Sequence, residues 1–482
     1  MARLVIRGAL VADGTGAPMS EGDVEIDGDR IRSVGQVGDG GGPSLDATGL
    51  VLAPGFIDTH SHDDYAVALH PDMQFKIMGG VTTVVVGNCG IGAAPRRWNE
   101  FFVRMVHGDA ELPEWKDFQD YFDYMDASPA SVNVAALAGH GTIREGVAGR
   151  GPADPSPAQI GEMSSLVSKA LEAGCVGVST GLVYEPGRYA TTEEIAQVAS
   201  PVGETGGVYA SHIRDEGDRL IEAVDEAIAI GQAACAPVVI SHLKVAGNRN
   251  FGKVSDALAR IDRAGPTVTA DHYPYTAGST GLAAVVDGGI RNTSPETVVI
   301  ASTKDHPEWH GRSLADLADG LGVVPSEVGG VVLEAEPNAT VVLHMMSEED
   351  VRTAVARPDI MVGSDGVPTL DGTPHPRLYG TFARVIGRYG RDLGLLTIEQ
   401  AVHKMTGRPA HVFGLADRGV IRPGAIADLV LFDPQEIVDL GTYEAPHRFP
   451  AGIHGVWVNG TRVVEQGTHN GARPGQVLKR SA

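Results

Sequence analysis

Across 482 residues there are three cysteines, Cys89, Cys175 and Cys235. They show no pairing pattern, which excludes a disulfide-built secreted scaffold and fits a reducing compartment. Basic residues are also short: 38 Lys and Arg against 61 Asp and Glu give a formal charge of −23, which opposes binding to a nucleic-acid backbone. No run approaches the ~20 apolar residues of a membrane span, and the opening MARLVIRGALVADGTG has no secretory h-region. The expectation is a soluble cytoplasmic protein with neither a nucleic-acid nor a membrane partner. Nothing in the sequence specifies the oligomeric state.

What the chain does have is 63 glycines and a succession of apolar runs that stop at polar or glycine-containing turns. Eight stand out, at 51 to 62, 82 to 90, 133 to 141, 175 to 182, 207 to 216, 237 to 247, 266 to 275 and 360 to 366. Helix-like segments such as Thr192 to Ser200 and Arg219 to Ala233 alternate with them, as βαβ units require. Runs of Val, Ile and Ala with little polar alternation suit strands buried on both faces, so the fold class is α/β, a (β/α)8 TIM-type barrel. About 85 residues separate the last two runs, more than one crossover helix needs, which predicts an insertion at about 281–350. The ends read differently. Short strands and the two-residue turns Asp27-Gly28 and Asn459-Gly460 predict a small composite β-sandwich domain built from 1–52 and 416–482 around the barrel, 53–415. Aromatics are only 5% of the chain but crowd into Gly92 to Ala130. Local packing and a contact with substrate are the two readings of that segment.

The ends of the eight runs carry His60 and His62, Cys89, His140, His212 and Arg214, His242 and Lys244, Asp271 to Tyr275, and Asp365. A lone HxH pair such as His60 and His62 is weak, since two solvated histidines look the same. Several strands delivering ligand-type side chains to one rim are not, because a barrel places its chemistry at that rim. Cys89, His212 and His242 give one thiolate and two neutral imidazoles with a fourth position open, a set that suits zinc. His60 and His62 form a neighbouring site, with Cys89 bridging if both are filled. Cys175 and Cys235 read as packed small hydrophobes. Asp365 reads either as a helix N-cap or as the carboxylate that takes a proton from activated water. Lys244 and Arg377, and to a lesser degree Arg214, suit an anionic substrate, with Tyr273 and Ser279 as hydrogen-bond donors to it. Tyr275 reads equally as packing, and His140 as a support or a metal contact.

In order along the chain, PGFIDTHSHDD, GNCG, STGLVYEPGRYATTEEI, SHIRDEGD, SHLKVAG, DHYPYTAGST, VGSDG, HPRLYG and the tail IRPGAIADLVLFDP to GVWVNG resemble the N-acyl-D-amino-acid deacylases (D-aminoacylases) of the amidohydrolase superfamily. The resemblance runs nearly end to end. It implies a (β/α)8 barrel with a composite β domain and zinc-dependent hydrolysis of a small-molecule N-acyl-D-amino acid. Cys89, His212 and His242 correspond to the tight zinc ligands, His60 and His62 to a weaker second site, and Asp365 to the catalytic base and acid. Lys244, Tyr273, Ser279 and Arg377 correspond to the substrate contacts. After Gly289 the chain departs from the family, where a Trp-containing segment is abridged. Two rivals remain at this level. A cyclic-amide hydrolase of the dihydroorotase or hydantoinase kind would need a metal-bridging lysine on the fourth strand, and CVGVSTGL has none. A non-catalytic scaffold relative would have no reason to keep every ligand together with Asp365.

Overall fold

The computed structural model describes residues 3–38 and 42–480. Residues 1–2 and 481–482, the outer limits of the two expected end segments, lie outside the described residues, as do 39–41. Eight parallel strands pair in chain order. They are β1 (Phe56–Asp58), β2 (Val81–Val86), β3 (Asn133–Gly139), β4 (Gly177–Gly181), β5 (Val208–His212), β6 (Val238–Ile240), β7 (Val268–His272) and β8 (Met361–Val362). Every residue of the eight is buried, as strands between a filled interior and an outer ring of helices must be. The eighth strand returns to the first just beyond their ends. There the Asp365 N–H donates to the His60 carbonyl at 2.7 Å and the His62 N–H to Gly366 at 3.2 Å. Only glycine permits this approach at position 363, where an added Cβ would stand 2.4 Å from the Cβ of His60.

The expected helices form at Thr192–Ala199 and Leu220–Ala233. The first begins at Thr191, whose hydroxyl accepts the Glu194 N–H at 3.1 Å, an N-cap of the ordinary kind. The run read as one strand from 51 to 62 is two. Val51–Pro54 pairs with Leu429–Phe432 in another sheet, and β1 begins only after Gly55, where any side chain would collide with Thr82.

That other sheet has nine strands drawn from both ends of the chain. It runs from Thr468–His469 through Thr461–Glu465, Ile453–Val458 and Leu429–Phe432 to Val51–Pro54, and on through Leu4–Val11 and Ser20–Asp27 to Arg30–Gly35. Asn459 and Gly460 both take positive φ, 47° and 74°, in the hairpin turn the Asn-Gly pair predicts. Asn459 also ties this sheet to the barrel, since its amide donates to Asn133 of β3 at 2.8 Å and its carbonyl oxygen accepts from Arg418 at 2.9 Å. Between β7 and β8, Ala277–Gly281, Val298–Ser302 and Thr340–His344 make a three-stranded antiparallel sheet. Helices Leu314–Leu321 and Val328–Ala335 close a separate apolar cluster over it. In the aromatic segment Trp115, Phe118, Tyr121 and Phe122 are buried in the main core, so packing accounts for them.

One buried amine holds a helix end. Lys404 donates to the carbonyls of Val355 at 2.7 Å and Arg357 at 3.0 Å, just where the helix Glu348–Val355 runs out of partners. Burial, opposed by Asp359, pushes its amine down to about 7. The folded chain then binds fewer protons than the unfolded one between about pH 7 and ~10.4. Stability relative to Lys404→Met should therefore climb with pH across that window, with a slope of up to about 1.4 kcal/mol per unit. Denaturant titrations of both proteins at several pH values check this, and a pH-independent difference would contradict it.

Candidate active site

The barrel's carboxyl-terminal rim gathers the side chains. His60 and His62 follow β1, Cys89 follows β2, His212 ends β5, His242 follows β6 and Asp365 follows β8, and all six are buried. Cys89, His242 and Asp365 sit at φ of 54°, 37° and 49°, a left-handed backbone that non-glycine residues rarely adopt. Each such residue costs roughly 1–2 kcal/mol, and three at one rim mark a site the surrounding packing is built to hold.

Cys89 Sγ lies 3.2 Å from His60 Nε2 and 3.4 Å from His242 Nε2, and His242 Nε2 lies 3.0 Å from His212 Nδ1. Burial raises the Cys89 thiol, but His60 and His242 outweigh it and hold the group well below its ordinary value, as a thiolate. Three sets of ligand atoms converge within 4.8 Å: Cys89 with His212 and His242, His60 with His62 and Cys89, and His60 with His242 and Asp365. A thiolate and two imidazole nitrogens facing one another in a closed wall are the donor set a divalent metal of the zinc kind takes. The residues therefore fit a metal.

Asp365 Oδ1 stands 3.2 Å from His62 Nε2 and 3.6 Å from His60 Nε2, while Oδ2 is held by Arg377 at 2.9 Å. Burial raises the Asp365 carboxyl, but Arg377 and His242 hold it well below the usual carboxylate range. Arg377 opens α1 (Arg377–Arg384), is fully buried, stacks at 4.4 Å on Tyr273, and donates to the Ser279 carbonyl at 3.3 Å. Its Nε and Nη1 have no hydrogen-bond partner, so two buried donors remain for an anion.

Other expected residues are placed differently. Lys244 is bound to Glu216 Oε1 at 2.5 Å and, with Tyr273, lines a small void apart from the main cavity. Arg214 turns away to Glu226 at 2.9 Å and to two backbone carbonyls. His140 stands 3.4 Å from Glu194 and joins none of the ligand sets among the described residues. Tyr275 packs beneath Arg384.

Two residues escaped the sequence reading. Tyr184, beyond β4, sets its ring 5.0 Å from His212 and accepts from Thr280 Oγ1 at 3.2 Å, leaving its own proton for the cavity it lines. Glu216 lies 3.1 Å from His242 Nδ1 and 3.5 Å from His212 Nε2, so one carboxylate oxygen faces the far nitrogens of both imidazoles. Burial raises the Glu216 carboxyl, but Lys244 and His212 outweigh it and bring it to about 2. The same His242 Nδ1 lies 2.7 Å from Lys244 Nζ, so an imidazole, the Glu216 carboxylate and the Lys244 ammonium meet behind the ligand cluster. The sequence signal was a carboxylate four residues past His212 in SHIRDE, in the loop after β5.

A parallel barrel whose rim holds a thiolate, four imidazoles and an arginine-held carboxylate is a metal-dependent hydrolase in architecture. The chain belongs to the amidohydrolase family, whose sequence pattern matches residues 44–266 and 331–464. It is 41% identical to a D-aminoacylase of Alcaligenes xylosoxydans xylosoxydans over 99% of this chain and 98% of that protein. To an N-acyl-D-aspartate deacylase of the same organism it is 42% identical, over 99% of this chain and 95% of the other. The crystal structure of N-acyl-D-glutamate deacylase from Bordetella bronchiseptica, complexed with zinc and a phosphonate mimic of the tetrahedral intermediate, superposes with a TM-score of 0.91 at 40% identity, covering 99% of both chains.

Glu216→Gln keeps the shape and removes the charge that faces two imidazoles and binds Lys244. Divalent-metal affinity should fall about 10- to 100-fold in chelator competition. Unchanged affinity would mean that the carboxylate does not hold the ligands.

Proposed function

We propose that the chain hydrolyses the amide bond of N-acyl-D-amino acids to a carboxylate and a free D-amino acid, with zinc as its metal. The observation that carries the reading is the convergence of Cys89, His212 and His242 beside an Asp365 carboxylate that Arg377 holds ionised. Cys89, His212 and His242 would hold one zinc, and His60 and His62, with Cys89 between them, a second. Zinc in such a site supplies Lewis acidity toward the scissile carbonyl and toward water.

The chain's own residues do the rest. Arg377 presents Nε and Nη1 to the substrate's carboxylate, which fixes the α-carbon and leaves the amide of one enantiomer facing Asp365. Ser279 and Tyr273 flank that position, beside and beneath the guanidinium. Lys244 takes part through its charge, 5.7 Å from the Tyr273 ring. Asp365 Oδ1 accepts the proton of the attacking water and returns it to the amine nitrogen as the C–N bond breaks, so the carboxylate ends as it began. The Tyr184 hydroxyl, which accepts from Thr280, lines the same cavity as a further donor for the substrate.

Asp365→Asn should lower kcat by at least about 100-fold while the protein still binds zinc, measured by amino-acid release and by metal content on the same sample. Turnover within a few-fold of wild type would remove Asp365 from the proton transfer.

A further inference from the structure

Overall likeness does not say which side chain the substrate carries, because the aminoacylase, the D-aspartate deacylase and the D-glutamate deacylase are all 40–42% identical to this chain. The cavity does distinguish them. It opens over His62, Cys89 and Asp365 and is walled by Phe101, Phe102 and Met105 of one helix, Glu100–His107, which belongs to the aromatic segment after β2. Phe102 sets its ring 5.8 Å from that of His62, so this helix reaches the reacting groups. The opposite wall is Gly281, Ala283 and Ala284 of the insertion. Met105 lies across Gly281 so closely that a Cβ there would stand 2.6 Å from its sulfur, and the two insertions thus meet over the site.

Charge is arranged against an anion in this space. The lining contains two guanidinium groups besides the reacting centre, and carboxylates already face both: Arg150, stacked on Phe101 at 4.4 Å, has Glu145 at 3.6 Å and Glu185 at 3.9 Å, and Arg188 binds Glu185 at 2.8 Å. With Asp287, three carboxylates face two guanidinium groups. Lys244 is bound to Glu216. Arg377 serves one carboxylate, the one every N-acyl amino acid has.

We propose that this cavity selects N-acyl-D-amino acids with neutral, apolar side chains, and rejects those with a second carboxylate, through the Phe101, Phe102 and Met105 face. The proposal rests on the hydrolytic reading above. A second carboxylate entering here would be desolvated against the Phe101, Phe102 and Met105 face and would meet, among the described lining residues, only cations that carboxylates already neutralise, an expensive way to bury a charge.

The test is kcat/KM on the zinc-loaded protein for N-acetyl-D-methionine, N-acetyl-D-leucine and N-acetyl-D-phenylalanine against N-acetyl-D-aspartate and N-acetyl-D-glutamate. The apolar set should lead by at least about 100-fold. Equal or reversed preference overturns the selectivity and leaves the deacylase reading standing, whereas turnover of none of the five overturns both. Met105→Lys, at a half-buried position, places a free cation in the wall and should narrow the methionine-to-glutamate ratio by at least about tenfold. An unchanged ratio in a variant that melts like wild type would remove this helix face from side-chain selection.

Discussion

The hydrogen bond from the Asp365 N–H to the His60 carbonyl closes the barrel, and the site exists because it does. With the His62 N–H to Gly366 bond, it brings the end of the eighth strand onto the end of the first, so the carboxylate and the HxH pair become neighbours although about 300 residues separate them. The seam is braced from below. Asp58 accepts from the Ser364 N–H at 2.7 Å, its hydroxyl at 2.6 Å and Lys76 at 2.7 Å, all out of water. Charged pairs buried this fully are costly to assemble, and breaking one by removing a partner costs about 3–5 kcal/mol. They therefore resist slippage of the seam and keep the strained backbone of Asp365 in place.

The same economy of charge governs the rim itself. Thiolate and carboxylates, Cys89, Asp365, Asp271 and Glu216, alternate with imidazoles, and Lys244 and Arg377 stand behind them. Asp271 both accepts the His242 N–H at 2.7 Å and faces His60 Nδ1 at 3.5 Å, linking two ligand sets through one group. Such dipoles and charges are fixed before substrate arrives, which is how a dry site stabilises developing charge without reorganising.

Much of this was legible in the sequence because barrel chemistry is local to strand ends. Each of His60, Cys89, His212, His242 and Asp365 closes an apolar run, and the runs themselves are distinct because strands buried on both faces need unbroken Val, Ile and Ala. What was hidden depended on contacts between distant segments. The break at Gly55 is set by the Thr82 side chain of the next strand, so no local pattern could divide 51 to 62. Lys244 reads as a free cation until Glu216, from another strand end, is seen to bind it. Phe101 and Phe102 look like their aromatic neighbours in sequence, and only the direction of their helix turns them to the cavity, Phe102 doing so from within the same main core as Trp115 and Tyr121.

The central claim is that this rim is a metal-dependent deacylase selective for one hand of substrate. The most direct measurement is release of free amino acid from matched N-acetyl-D and N-acetyl-L substrates by zinc-loaded protein, with and without a chelator. Release confined to the D series and abolished by metal removal is the predicted result. Equal release from both hands, or turnover that survives complete removal of metal, would contradict the account.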